Sequence, residues 1–540
     1  MHQNSTVSSK SLNRMATQGF FDIRVPAQIN MARLTVDFWA ENGRGQDVAI
    51  YYEDQKITYQ QLKEQTDSFA YALHKMGISK GDRIIIRCPN RPEYQIGFLG
   101  GLKIGAVPIP TNEMLRENEL EYIIKNSGAV AAIATVGNIA TIENIASRCK
   151  TLKHIIVIED STEGKHSFAE LLKEDGTKLP FIETLKDDPA FFLYTSGTTG
   201  SPKGVVHGHR FIIGAGDPIG KFTMGLEKGD ICGGPTALTW MYALGHNFLF
   251  SLRWGVSTAM YADDRFDPVK AFQFIETYKL TLFTGTPTIY KRMLTIKGAE
   301  NTYDISSLKT CLSSGEPLLA ETWREWESRF GLKILDCLGQ TEAHEVCTAQ
   351  NHQKVKIGSF GTPLPGIEMA IVDKKGEKLP INELGHLVIN KEHPGLFLEY
   401  FQMPDRMKEV FIPNGWYDTK DLAYMDEDGY FWYGSRSDDI MTCSGYRISP
   451  FEVQTALQEH PAVLESGVTQ VLDSQEKDIV KAWVVLHAGY NPSQELAKEL
   501  QDFVKKTIAP YKYPREIEFI SELPKTSNGK ILHRKLREMG

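Results

Sequence analysis

The sequence predicts an α/β protein: a large N-terminal domain of two layered α/β subdomains plus a β-rich subdomain, followed by a small α+β C-terminal domain. Three observations predict it. Short apolar runs read as buried strands, segments of helical period alternate with them, and beyond about residue 355 Gly and Pro punctuate shorter strands. In order along the chain, Tyr59 to Met76 sets Leu62, Phe69, Ala70 and Leu73 at helical period before a Gly77 stop. The runs Arg83 to Ile86, His154 to Ile158 and Ala190 to Tyr194 read as buried strands; their alternation with helical segments argues for largely parallel sheets layered with helices. Between about residues 355 and 435, Gly361, Pro363, Gly366, Gly385, Asn414-Gly415 and Asp428-Gly429 mark the turns of the β-rich subdomain. Phe451 to Gln458 and Ser493 to Ile508 carry amphipathic helical period in the remaining chain. A boundary near Ser437 to Asp439 follows, giving domains 1–436 and 437–540.

Composition removes several classes. The 540 residues are 41% hydrophobic and 24% charged, which excludes a disordered or fibrous chain. A net charge of −8 gives no field that would draw nucleic acid or anionic lipid, so neither is expected as a partner. The seven cysteines (88, 149, 232, 311, 337, 347, 443) contain no CxxC pair, which fits neither a disulfide framework nor a zinc ribbon; buried reduced thiols are expected. No run approaches the roughly 18 apolar residues of a membrane span, and the Ser/Asn-rich N-terminus lacks a signal-peptide core. A cytoplasmic protein without a membrane span is the expectation.

The most informative stretch is Thr195-Ser196-Gly197-Thr198-Thr199-Gly200-Ser201-Pro202-Lys203-Gly204, directly after a buried strand. Glycines let backbone N–H groups approach phosphate oxygens, hydroxyls donate further bonds, and Lys203 neutralises charge. A Ser/Thr/Gly cluster is ordinarily a surface turn, and Pro202 excludes a Walker A loop. The string is longer and more specific than a turn requires. It closely resembles the phosphate loop of the adenylate-forming (AMP-binding) superfamily, which includes acyl- and aryl-CoA synthetases.

Further motifs of that superfamily follow in order, and the resemblance runs from about residue 30 to the end. Ser314-Gly315-Glu316-Pro317 resembles the segment flanking adenine. Leu338-Gly339-Gln340-Thr341-Glu342 resembles the motif whose Thr meets the α-phosphate and whose Glu helps hold Mg²⁺. Trp416 to Asp421 resembles the ribose motif, with Asp421 as the ribose ligand; Gly434-Ser435-Arg436-Ser437-Asp438-Asp439 resembles the hinge, with Arg436 on the nucleotide. Ser444-Gly445-Tyr446-Arg447 resembles the face used for thioester formation with CoA, and Pro524 to Lys530 the catalytic-lysine loop. Two residues depart from the pattern: Lys420 and Ser435 stand where the family has Gly, while Asp421 and Arg436 are retained.

The resemblance implies ATP, Mg²⁺ and CoA as ligands, a mobile C-terminal domain, and two half-reactions. A carboxylate is a poor electrophile, so it is first converted to an acyl-adenylate with release of pyrophosphate; a thiol then displaces AMP. The first step brings two anions together, and Lys530, Thr341 and Mg²⁺ on Glu342 suit the charge that develops. Asp438 and Asp439 are expected hinge residues, and acylation of Lys530 would remove its charge. His207 and His209 are expected to pack or cap rather than bind metal.

Gly339 stands where acetate-specific relatives carry a pocket-closing Trp, which implies a larger acid. The Gly234 to Gly245 segment resembles benzoate and 2-aminobenzoate ligases, so Trp240, Met241, Tyr242, Gly339 and His344 are the expected acyl pocket, with His246 and Glu345 near it. The expected activity is an ATP-dependent acid–CoA ligase for an aromatic acid or one larger than acetate. Three alternatives stand beside it: a medium-chain acyl-CoA synthetase, a stand-alone enzyme loading a carrier protein, and a nucleotide-binding protein without turnover. Nothing in the sequence sets the oligomeric state.

Overall fold

Strands with consecutive apolar residues have both faces to bury; the runs beginning at Arg83 and His154 do so in a parallel sheet, whereas Ala190 to Tyr194 lies in an antiparallel one. The structure is a computed structural model. It describes residues 23–540 except 160–163, 196–201, 264, 317, 349–353, 438, 440, 444–445, 474–476 and 526–530, and describes only the backbone of 346–348, 442, 446 and 447. Arg83–Arg87 lies between Val107–Pro110 and Ala131–Ala134 in a five-stranded parallel sheet that continues through His154–Val157 and His166–Ser167. Ile84, Ile85 and Ile86 are fully buried.

The helix Tyr59–Lys75 starts at a capping box, in which Thr58 and Gln61 satisfy each other's backbone N–H groups, and it ends before Gly77 at φ +82°. Its buried face holds Leu62, Thr66, Phe69, Ala70 and Leu73, in agreement with the sequence period.

A nine-stranded sheet forms the second layer. Its centre is parallel and runs from Val48–Tyr52 through Ser257–Met260, Ile231–Gly234, Leu282–Gly285 and Thr310–Ser314 to Ile334–Gln340. Beyond Gln340 the chain reverses and His344–Thr348 pairs antiparallel, with Gly339 opposite Glu345 and Gln340 opposite His344.

A third, antiparallel sheet orders Glu399–Tyr400, Lys203–Gly208 and Pro189–Thr195. The segment entering Tyr400 is clamped: Phe397 N–H donates to the Glu342 carbonyl at 2.8 Å and Leu398 N–H to the Val206 carbonyl at 2.7 Å.

By contacts the chain forms two compact units, Met1–Glu368 with Asn390–Phe411, and Met369–Ile389 with Ile412–Gly540. The second unit contains the long hairpin Trp416–Met425 and Phe431–Arg436. It also contains a sheet of Val463–Leu472, Asp478–Leu486 and Glu516–Phe519 with helices Pro450–Gln458, Gln494–Thr507 and His533–Met539. Val453, Leu457, Val468, Val484, Leu500 and Val504 share one core there. The described cysteine side chains are buried free thiols, and among the described residues no helix is long and apolar enough to cross a membrane.

In the first unit, Gly214 sits against the chain that delivers Tyr400; a Cβ on it would lie 2.4 Å from the Pro394 carbonyl carbon and the Gly395 nitrogen. Backbone atoms have no rotamer to yield. Gly214→Ala is therefore expected to cost about 1–3 kcal/mol, as overpacked sites do. Thermal unfolding checks it; an unchanged midpoint refutes the clamp.

Candidate active site

Three segments distant in sequence converge on one carboxylate. Lys203 opens its strand, Glu342 follows Ile334–Gln340, and Tyr400 ends the short edge strand. Lys203 Nζ lies 3.0 Å from Glu342 Oε1, the Tyr400 hydroxyl donates to the same oxygen at 2.7 Å, and Lys203 also reaches the Tyr400 hydroxyl at 3.2 Å. The ammonium sits 4.2 Å from the Tyr400 ring centroid. Burial would push the Glu342 carboxyl up, but the Lys203 charge and the Tyr400 and Lys203 hydrogen bonds outweigh it and hold the group below the usual carboxylate range. Tyr400 was not singled out by the sequence: a lone Tyr in a two-residue strand carries no motif.

Thr341 is placed by His207. A carbonyl can only accept, so His207 Nε2 carries the proton it donates to the Thr341 carbonyl at 2.8 Å. Burial pulls the ring's pKa down to about 4, and the neutral imidazole stacks on Phe191 at 4.8 Å. His209 Nδ1 instead accepts the Met31 N–H at 3.1 Å. Both histidines pack and bond.

Of the expected acyl-pocket residues, Tyr242 and His344 meet through His246, and Gly339 lies against His344. Tyr242 packs its ring 4.8 Å from His246, which lies 5.0 Å from His344. Gly339 must lack a side chain, because a Cβ would meet the His344 carbonyl oxygen at 2.7 Å and Glu345 Cγ at 3.0 Å. His344 holds φ +55°, a left-handed backbone uncommon outside glycine. Met241 is buried and Trp240 half-buried.

Gly315 turns at φ +96°, and the Glu316 carboxylate is committed to Thr288, accepting from its N–H and hydroxyl at 3.1 and 2.6 Å. Asp336, on the strand leading to Gln340, accepts the Leu318 N–H at 3.3 Å through one oxygen, while the other is buried without a partner. Burial, with Glu345 and Glu316 nearby, pushes its carboxyl up to about 8.

In the second unit Asp421 and Arg436 face each other across the hairpin, Arg436 Nη1 donating to Asp421 Oδ1 at 2.8 Å. Lys420 adopts φ +64°, the left-handed place a Gly would take freely, while its N–H and Nζ both bond Asp418 at 2.9 Å. The departure from Gly thus keeps the turn and adds an ion pair. Ser435 is buried within its strand. Arg537 meets Asp439 at 3.1 Å.

Several expected residues lie outside the described ones: Ser196, Gly197, Thr198, Thr199 and Gly200, Pro317, Asp438, Ser444, Gly445 and Lys530. For Tyr446 and Arg447 the backbone forms a strand paired to Met441–Cys443.

The family model "AMP-binding enzyme" matches residues 37–401, and "AMP-binding enzyme C-terminal domain" matches 452–530. The chain belongs to the AMP-binding enzyme family. An "uncharacterized acyl–CoA ligase YtcI" of Bacillus subtilis (strain 168) is 37% identical, over 96% of this chain and 97% of that protein. The acetyl-coenzyme A synthetase of the same organism is 35% identical over 94% and 90%. Among solved structures, the anthranilate CoA ligase AuaEII in complex with anthranoyl-AMP superposes with TM-score 0.88 at 30% identity, over 95% of this chain and 98% of that one. A benzoate CoA ligase from Burkholderia xenovorans LB400 gives 0.82 at 30%, over 94% and 99%.

As a member of the AMP-binding enzymes the chain is an AMP-forming acid–CoA ligase, for which ATP and CoA are substrates. Two consequences of this AMP-binding chain's electrostatics and backbone can be measured. Between pH 4 and about 8 folded Asp336 keeps a proton that the unfolded chain, with the group near its ordinary value of 3.8, has lost. Stability then falls as pH rises, by at most about 1.4 kcal/mol per unit. Asp336→Asn is expected to raise the unfolding midpoint at pH 8 and to lose that advantage towards pH 4; thermal unfolding across pH decides, and a pH-independent difference refutes it. At Lys420 the left-handed backbone predicts that Lys420→Val costs about 1–2 kcal/mol while Lys420→Gly costs less. Urea unfolding read by hydrogen exchange in Trp416–Met425 checks the order.

Proposed function

We propose that this chain activates an aromatic carboxylic acid with ATP and transfers it to CoA in the cytoplasm. The observation that carries the reading is the ionised Glu342 set beside Lys203, with Thr341 adjacent and held through its carbonyl by His207. A carboxylate oxygen of the substrate attacks the α-phosphorus of ATP, the bond to pyrophosphate breaks, and the aroyl-adenylate forms. The CoA sulfur then attacks the acyl carbon, loses its proton, and AMP departs.

Lys203 and Tyr400 both contact Glu342 Oε1, so Oε2 suits an oxygen-seeking Mg²⁺, and residues of this chain fit that ion. Bound there, Mg²⁺ supplies charge neutralisation on the phosphates. In this reading Thr195 to Lys203 wrap the phosphates, Gly315 to Pro317 and Gln340 border the adenine, Asp421 and Arg436 hold the ribose, and Thr341 donates to the α-phosphate. Lys530 neutralises charge in adenylation, Asp438 and Asp439 form the hinge, and Ser444 to Arg447 serve the thioester step. Acylation of Lys530 would switch off the first step alone.

Aromatic substrates are favoured by the cluster of rings that Tyr242, His246, Phe250 and His344 form with one another. The names of the anthranilate and benzoate ligases support it. Pyrophosphate release with ATP and Mg²⁺ should be greater for benzoate-type acids than for acetate, and CoA should raise turnover. Lys530→Ala is expected to slow adenylation about 100-fold or more while leaving CoA transfer from a supplied aryl-adenylate much less affected. If acetate outpaces every aryl acid, the substrate reading falls; if no acid releases pyrophosphate, the activity does.

A further inference from the structure

Three buried side chains beside Tyr242 have polar atoms that the chemistry above leaves unused. His246, His344 and Glu345 are 0%, 1% and 2% exposed. His246 Nδ1 lies 2.9 Å from the Tyr242 carbonyl, which can only accept, so that nitrogen carries a proton. His246 Nε2 and Glu345 Oε2 then face each other at 3.0 Å. Two lone pairs at that distance require one proton between them, which makes the pair neutral as a whole. The contact is close but not aligned as a hydrogen bond, and both Glu345 oxygens lack a hydrogen-bond partner.

His344 is fixed the opposite way. Its Nδ1 accepts the Glu345 N–H at 2.7 Å, so Nε2 bears the proton, and that N–H has no hydrogen-bond partner either. A buried carboxylate with two unused oxygens is costly for a group with only a structural task. Phe250 packs edge-on to His344 at 4.7 Å, so the polar atoms sit within an aromatic wall.

We propose that this cluster is the far end of the acyl pocket and receives an uncharged hydrogen-bond donor, an amino or hydroxyl group carried on the ring of the aromatic acid. The inference rests on the acid–CoA ligase reading. Strand pairing puts Glu345 opposite Gly339, three residues beyond Glu342, so the cluster adjoins the expected acyl position. A neutral donor suits a pair that already holds its proton, whereas an ammonium group would add an unpaired charge to a dry site. The ligand atoms of the three residues lie within 4.8 Å of one another, close enough for a metal ion. His344 has no free lone pair to offer it, since Nδ1 is occupied and Nε2 protonated.

The test compares kcat/KM for the amino- and hydroxybenzoates with that for the methylbenzoate of the same ring position, and for 6-aminohexanoate with hexanoate. One amino or hydroxy isomer should exceed its methyl counterpart by about tenfold or more, because a site built to bond a donor rejects the analogue lacking it. Glu345→Leu should bring that ratio within about threefold, Glu345→Gln should keep part of it, and 6-aminohexanoate should gain nothing over hexanoate. Methyl isomers equal to or better than their polar counterparts at every position would overturn the proposal. So would an equal loss on both members of a pair in Glu345→Leu. Should that variant not fold, the wild-type ratios and His246→Gln decide. Pyrophosphate release with plain benzoate tests the ligase reading separately; without any turnover, calorimetric binding of the same pairs reads the subsite. An equivalent of zinc copurifying with the wild type and lost in His246→Gln would overturn it in favour of a metal.

Discussion

A buried carboxylate must be neutralised where it stands, and Glu342 imposes that constraint on the first unit. Its partners come from the opening residue of one strand and the last residue of another, 139 and 58 residues away in sequence. Removing Lys203 leaves a charge unpaired in a dry place, which costs about 3–5 kcal/mol in comparable buried pairs, whereas removing Tyr400 takes away one hydrogen bond to that charge. The three-stranded sheet of Pro189–Thr195, Lys203–Gly208 and Glu399–Tyr400 exists in the register that puts Lys203 and Tyr400 on the same oxygen. The bonds from Phe397 and Leu398, and the glycine packing at Gly214, hold the third strand to that register. Packing of the fold and electrostatics of the site are here one requirement seen at two scales.

Much of this was legible in the sequence for physical reasons. Parallel strands buried on both faces carry consecutive apolar residues, so Ile84 to Ile86 and Ile155 to Val157 stood out. The helix Tyr59–Lys75 announced itself by period, capping box and a terminal Gly. The run Thr195 to Gly204 stood out because a core would not tolerate so many glycines and hydroxyls in succession. Tyr400 was illegible because its role arises from strand pairing, and no local pattern marks a tyrosine that will meet a carboxylate far away in sequence. The His246–Glu345 contact was hidden for the same reason: 99 residues separate partners whose encounter depends on the reversal after Gln340.

The departures from the family pattern show how a fold absorbs an unfavourable residue. Lys420 pays for a left-handed backbone that Gly would adopt freely, yet the same conformation directs both its N–H and its ammonium to Asp418. Asp418 is also 3.3 Å from His386, so the turn before Asp421 is tied down by charges instead of by glycine. Asp421 keeps its cross-strand Arg436, so the hairpin pairing beside the turn is retained by a different set of forces.

His344 makes the same exchange in the first unit. Its left-handed φ costs of order 1–3 kcal/mol, typical of strain kept at functional positions. The strained backbone lets the ring accept the N–H of the next residue, and that bond fixes which ring nitrogen carries the proton. With Nδ1 occupied, the histidine is a donor at Nε2 and nothing else, while His246, protonated at Nδ1 by the demand of a carbonyl, faces Glu345 with the opposite nitrogen. Two backbone groups thus set the polarity of a side-chain cluster that no solvent reaches. A polarity fixed before any substrate arrives is what a dry pocket needs to choose between substituents of equal size, since shape alone separates a methyl from an amino group poorly and an unmet hydrogen bond separates them well.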